Sequence, residues 1–327
     1  MGELYTISGF VWIDEFHLSL CQLALVFGQM AYWTLRAWRP PSTCRVLLES
    51  VLSLLLLLYT FQGVQLGIDV GMTWNQLPRL TPLSWYHRLN MLGFINYLKY
   101  QPPLWMLWLS SLPSFAIQQV CSVCVSFGVI AVLLRRGERR LACLILGMPL
   151  FQFMATQPMN DLYVAFFGVL ARDAVMHDSK GLAAIWIAIA CQVKYTVLLL
   201  LPVYIVWIRW WILLPICSQI WYWEIVQQTY WGVKQARYLL HSFSMGVIKG
   251  HLAPQAKSTD VPLPPWLTLF YTARWRFRTL TIPALTQAWW WLFPWYTSWS
   301  WRQGICIVVL LGGYGNIKYS LLLLAIL

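Results

Sequence analysis

The sequence predicts an all-α, polytopic transmembrane helical bundle, and three observations carry that reading. Only 10% of the 327 residues are charged while 59% are hydrophobic, whereas a soluble domain carries about 25% charged residues. The mean hydropathy is +0.60, concentrated in apolar runs that approach the roughly 20 residues needed to cross a bilayer. Short arginine-bearing loops separate those runs, as the positive-inside rule requires. Together these predict about eight to ten spans, some short or broken, and a large first external loop carrying juxtamembrane helices.

The first apolar run, His17 to Trp38, ends among Arg36, Arg39 and Arg45, and the second extends from Val46 to Leu66. A mixed stretch, Gly67 to Gln101, follows and holds Asp69, His87, Arg88 and Lys99. Apolar character resumes at Pro102 and, after Pro113, continues to Leu134. It stops at "RRGERR" (Arg135 to Arg140), whose four arginines mark a cytoplasmic loop. Alternation then puts the loop around Arg36 to Arg45 inside and the stretch from Gly67 to Gln101 outside. Leu141 to Thr156 leads outward to "QPMND", and a helix from Asn160 returns inward with Arg172 able to snorkel. Gly181 to Gln192 goes out to Lys194, and Thr196 to Trp207 comes back to Arg209.

The chain thus divides into a membrane core over 1–217 with its external loop at 67–103, a Trp- and Pro-rich interfacial or external region over 218–303, and an apolar helical segment over 304–327. The sequence stops inside "KYSLLLLAIL", so either the last helix ends there or the natural chain continues. At the other end, "MGELYTISGFVWIDEF" has acidic character and no small-residue cleavage site, unlike a signal peptide.

A net charge of +12 raises nucleic-acid binding, but the positive residues sit in short loops between apolar runs and form no stripe, so that class is excluded. The 22 Trp and 16 Tyr suit the aromatic belts of the two interfaces. Among eight cysteines, Cys121 and Cys124 form a CxxC inside a spanning run. With no second pair and no His cluster, they read as buried small hydrophobes.

Topology gathers Asp69, the Tyr100-Gln101-Pro102-Pro103 break, Asn160-Asp161 and Lys194 on the non-cytoplasmic face. Each has an ordinary explanation: solvation for Asp69, dipole capping for Asp161, snorkelling for Lys194, a helix start for the double proline. Co-location is what makes them a site, because ionisable groups at a membrane boundary are costly. An acid and a lysine on one face suit an anionic ligand with a general base beside it.

Three segments carry a resemblance. "YLKYQPPLWMLWLSSLP" resembles the juxtamembrane segment of the GT-C superfamily of integral-membrane glycosyltransferases. "QPMNDLYVAFFGVLARDA" with "KGLAAIWIAIACQVKYTVLLLLP" is similar to paired helices of its polyprenol-phosphate-dependent, mannosyltransferase-like branch. "GNIKYSLLLLAIL" looks like the start of a late helix in the same families. The likeness is best from about Val64 to Pro202. An additional span precedes the first external loop here, and "GIDVGMTW" has one acid where many relatives have two. A divalent metal is therefore not supported by paired acids, and no cofactor is expected with certainty.

The resemblance implies a transferase that takes a sugar from a polyprenyl-phosphate donor and passes it to a glycan, lipid or protein acceptor at the outer face of the plasma (inner) membrane. Asp69 is the candidate base for the acceptor hydroxyl. Lys194 is the first candidate to offset charge on the leaving phosphate, with Arg88, Lys99 and Lys318 behind it. Asp161 is expected to orient an acceptor hydroxyl or to pair with Lys194. Tyr100, Gln101 and His87 line the same face, and Tyr86, Tyr97 and Tyr100 stack on a sugar or anchor at the interface. Two other classes stay open: a transporter or lipid flippase, with charge and broken helices at mid-depth, and a non-catalytic, truncated relative of the enzymes.

Overall fold

A computed structural model describes residues 20–62, 104–105, 108, 111–112 and 114–220. These residues are helical, without strands. Helix α1 is Leu20–Trp38, α2 Thr43–Phe61, α3 Phe115–Arg135, α4 Arg139–Gly147, α5 Pro149–Ala155, α6 Asn160–Met176 and α7 Lys180–Val193. A 3₁₀ stretch, Tyr195–Leu200, leads into α8, Leu201–Ile208; a second, Arg209–Ile212, leads into α9, Leu213–Ile220.

Among the described residues, three helical stretches have the length and apolar composition to cross a membrane, Thr43–Phe61, Phe115–Arg135 and Leu201–Ile220, but the last is broken at Arg209 into two short pieces. On α2, Leu48, Leu52, Leu55, Leu56 and Tyr59 are exposed, while Val46, Leu54, Leu57 and Phe61 on the opposite side are buried. A helix apolar all round does not meet water on either face. Such surface belongs in lipid and points to a membrane protein.

Two ends of the bundle are distinct. At one, Gly137 takes φ +78 to turn α3 into α4, a value that suits glycine because it has no Cβ. There Arg139 reaches the Pro41 carbonyl at 3.2 Å, and Glu49 accepts from Arg36 at 2.7 Å and Arg45 at 2.8 Å. Arg135 pairs with Asp173 near the end of α6. The arginines of both loops therefore share this arginine end. At the other, Gln119 near the start of α3 donates to the carbonyls of Phe61, closing α2 (3.0 Å), and of Thr156, just past α5 (2.9 Å).

The innermost element is the broken pair α4–α5, buried from Leu141 through Ala155 and packed on α1, α2 and α3. The break falls at Met148-Pro149 because proline has no N–H to continue the ladder. Gln152 repairs it: its side-chain amide donates to the Leu146 carbonyl at 3.0 Å, satisfying a backbone acceptor that apolar surroundings would leave stranded. Where α3 meets α6, a Cβ at Gly128 would lie 2.8 Å from the Phe166 ring, so the missing side chain permits the approach.

The last stretch is not straight. Tyr204 donates to the Gly168 carbonyl at 3.3 Å, and the Trp211 ring lies against Gly181 at the start of α7, so α8 descends to the arginine end. Ser218, however, accepts through its carbonyl from Gln192 at the end of α7, at 3.0 Å. The chain reverses between these contacts, at Arg209, which has φ +55 and ψ −129. Thus α9 runs back alongside α7, where the apolar pattern alone gives no continuing helix after Trp211.

Two side-chain expectations change. Cys124 is exposed on α3 and Cys121 half-buried, so the CxxC is not a pair of buried hydrophobes; Cys143 and Cys191 have that role. Arg172 does not extend freely to an interface: its guanidinium lies over the Trp207 ring, 4.3 Å from the centroid.

Candidate functional site

Asp161 and Asn160 open α6. Pro158 stands just before them, and Met159 is extended, at φ −104 and ψ 134, so the helix starts abruptly after the "QPMND" turn. A carboxylate in a first turn faces the positive end of the helix dipole. Lys194 closes α7 in extended conformation, its backbone N–H returning to the Ala190 carbonyl at 2.9 Å. A cation there faces the negative end of its helix. Because α6 and α7 are antiparallel neighbours, the two favourable positions adjoin, and the side chains meet.

The contact is bidentate. Lys194 Nζ donates to Asp161 Oδ1 at 2.7 Å and Oδ2 at 2.8 Å, and to Asn160 Oδ1 at 3.3 Å. The lysine side chain is 6% exposed and the aspartate 1%. An ammonium donates through three hydrogens, and Asp161 and Asn160 hold it inside the protein. Burial of either charge alone would cost several kcal/mol, and pairing offsets part of that cost. Lysine at this position is therefore enclosed, not snorkelling.

At this end of the bundle, the lysine end, Gln118, Gln119, Thr156 and Gln157 are buried polar residues as well. Trp105, 4% exposed, packs edge-on against Tyr163 of α6 with ring centroids 4.8 Å apart, and Trp108 lies 6.3 Å from the same ring. So Trp105 and Trp108 lie beside the first turns of α6, at the same end of the bundle as the end of α2.

Of the candidate residues, Lys194 and Asp161 are brought together. Asp69, His87, Arg88, Lys99, Tyr100, Gln101 and Lys318 lie outside the described residues, as do the regions 218–303 and 304–327 apart from residues up to 220. Sequence reasoning singled out neither Gln119 nor Gln152. Their signal is glutamine inside an apolar run, since a buried amide requires partners. Among the described residues no three His, Cys, Asp or Glu side chains gather as a metal site. No protein-family model matches this chain, and no significant match was found among curated proteins or among solved structures.

Proposed function

We propose that the chain is a multi-pass membrane glycosyltransferase that moves a sugar from a polyprenyl-phosphate donor to an acceptor at the lysine end of the bundle. The positive-inside rule makes the arginine end cytoplasmic and the lysine end non-cytoplasmic. The observation that carries the reading is the buried ammonium of Lys194, fixed by Asp161 and Asn160 at the end where the external-loop segment begins and finishes.

In the reaction, the acceptor oxygen bonds to the anomeric carbon as the bond from that carbon to the phosphate oxygen breaks. The electron pair leaves with polyprenyl phosphate, and the acceptor proton passes to Asp69. Negative charge grows on the leaving oxygen, and a fixed cation there lowers the barrier most when water is excluded. Lys194 has that role, and Asp161 keeps its ammonium aimed. The contact to Asn160, at 3.3 Å the longest of the three, is the one a phosphate oxygen replaces.

One observation favours a second reading, a non-catalytic scaffold: the Lys194 ammonium is already engaged within the protein by Asp161 and Asn160. The transporter reading has less support, because the pair lies at helix ends and not at mid-depth. The test is transfer from radiolabelled polyprenyl-phosphate hexoses by the full-length protein in lipid, compared with Asp69→Asn. Loss of transfer in a folded Asp69→Asn protein supports the enzyme. Full activity in that variant removes Asp69 from the mechanism, and a wild-type protein inert towards every such donor leaves the scaffold.

A further inference from the structure

The charges of the described residues are divided unequally between the two ends of the bundle. At the lysine end Asp161 and Lys194 pair with each other. The other ten cations, with the acids Glu49, Glu138, Asp173 and Asp178, belong to the arginine end. Each of those acids is already engaged: Glu49 by Arg36 and Arg45, Glu138 by Arg136, Asp173 by Arg135 and Asp178 by Lys180. Arg39, Arg139 and Arg140 are exposed and form no ion pair among the described residues. The remainder of the sequence holds six acids and twelve cations, so it has no surplus of negative charge with which to neutralise them.

The three arginines lie on one rim. Arg139 donates to the Pro41 carbonyl at 3.2 Å, so the α3–α4 turn rests on the α1–α2 loop. Arg140 follows Arg139, and Arg39 stands two residues before Pro41. That rim borders surface suited to hydrocarbon. Leu35 and Trp38, 74% and 67% exposed, lead up to Arg39 along α1, and Leu48, 63% exposed, opens the apolar face of α2 three residues after Arg45. The arginines therefore stand at the level of the lipid headgroups, where basic side chains are drawn to a negatively charged leaflet. A guanidinium also matches phosphate oxygens in shape and charge. We propose that Arg39, Arg139 and Arg140 form a docking surface for the headgroups of anionic phospholipids, whose acyl chains lie against Leu35, Trp38 and Leu48. A zwitterionic headgroup carries a cation of its own and gains less there. The surface lies at the opposite end from Lys194 and does not rest on the glycosyltransferase reading.

The test measures, by native mass spectrometry, the lipid retained by the full-length protein from nanodiscs of equal phosphatidylcholine and phosphatidylglycerol. The wild type is expected to hold phosphatidylglycerol about tenfold over phosphatidylcholine. The double variant Arg39→Gln with Arg140→Gln should lose most of that preference while melting as the wild type does in phosphatidylcholine alone. Arg139 is left in place because it holds Pro41. High salt should weaken the wild-type preference, since exposed charges are screened. Equal retention of the two lipids by the wild type overturns the proposal. So does a glutamine double variant that keeps the full preference, or a preference unchanged by salt. A fluorescent DNA oligonucleotide added to phosphatidylcholine discs tests a competing polyanion. Its binding by the wild type but not the double variant, together with equal retention of the two lipids, gives the rim to a soluble polyanion and overturns the lipid assignment.

Discussion

Lys194 and Asp161, thirty-three positions apart in sequence, form a bidentate ion pair with N–O distances of 2.7 and 2.8 Å and almost no solvent exposure. The pair ties the start of α6 to the end of α7, so its two halves have unequal fates when cut. Asp161→Ala leaves a buried ammonium without its carboxylate and is expected to cost about 3–5 kcal/mol. The double variant Asp161→Leu with Lys194→Met removes both charges and is expected to be more stable than Asp161→Ala. Thermal unfolding in detergent measures the cycle. The same double variant, folded, should give no sugar transfer if Lys194 meets the donor phosphate, and unchanged transfer would confine the pair to a structural role.

Gln119 spans two elements with one amide group. Replacing it with leucine strands the Phe61 and Thr156 carbonyls, and each buried acceptor left unpaired costs about 1–3 kcal/mol. Gln119→Leu should therefore lower stability by about 2–4 kcal/mol, and Gln119→Glu should be no milder, because a carboxylate cannot donate while ionised. Urea unfolding of the purified protein distinguishes these from a surface substitution, which would change stability by less than about 0.5 kcal/mol.

What could be read from sequence follows from which signals are local. The arginines of Arg36 to Arg45 and of "RRGERR" need no partner to announce a membrane boundary, and the structure brings Arg139 onto Pro41 at that same end. The apolar runs likewise announce α1, α2 and α3 to within a few residues. Asp161 and Lys194 could be assigned to one end by counting turns of the chain. Their bidentate contact could not, because it depends on the rotation of α6 and α7 about their axes. Gln119 and Gln152 stand out as glutamines in apolar runs, but their partners were illegible for a related reason: each serves carbonyls left open only by helix ends and by the break at Pro149. The reversal at Arg209 is hidden because apolar residues continue on both sides of it, and composition carries no sign of direction.

Glu138 sits in the turn between α3 and α4, and burial pushes its carboxyl above the ordinary 4.5, against the opposing pull of Arg136 and Arg172. A raised carboxyl pKa means that the folded protein holds the proton more tightly than the unfolded chain. Stability from this group is then complete below the unfolded value and is lost as pH rises from about 4.5 through the folded value. Glu138→Gln mimics the protonated state at every pH. Wild type and variant should be nearly equal at about pH 4, and the wild type should fall behind as the pH approaches about 7. Melting curves at both pH values decide it, and a wild type that gains on the variant with rising pH would mean that Arg136 outweighs the burial.

Arg209 occupies φ +55 and ψ −129, the first central position of a type II′ turn, where glycine is favoured. For a residue with a Cβ this conformation costs about 1–3 kcal/mol, and glycine also loses more chain entropy on folding. The balance predicts that Arg209→Gly stabilises the protein by about 1 kcal/mol, while Arg209→Val, β-branched at positive φ, destabilises it. The geometry of the reversal can be checked apart from its energy. In a background lacking Cys191 and Cys217, cysteines introduced as Gln192→Cys and Ser218→Cys should be joined by a short bismaleimide, because Gln192 donates to the Ser218 carbonyl at 3.0 Å. A straight 20-residue helix from Leu201 to Ile220 would be about 30 Å long and would carry residue 218 past the start of α7, far from residue 192. Failure to cross-link, together with a neutral Arg209→Gly, would replace the turn with a continuous span.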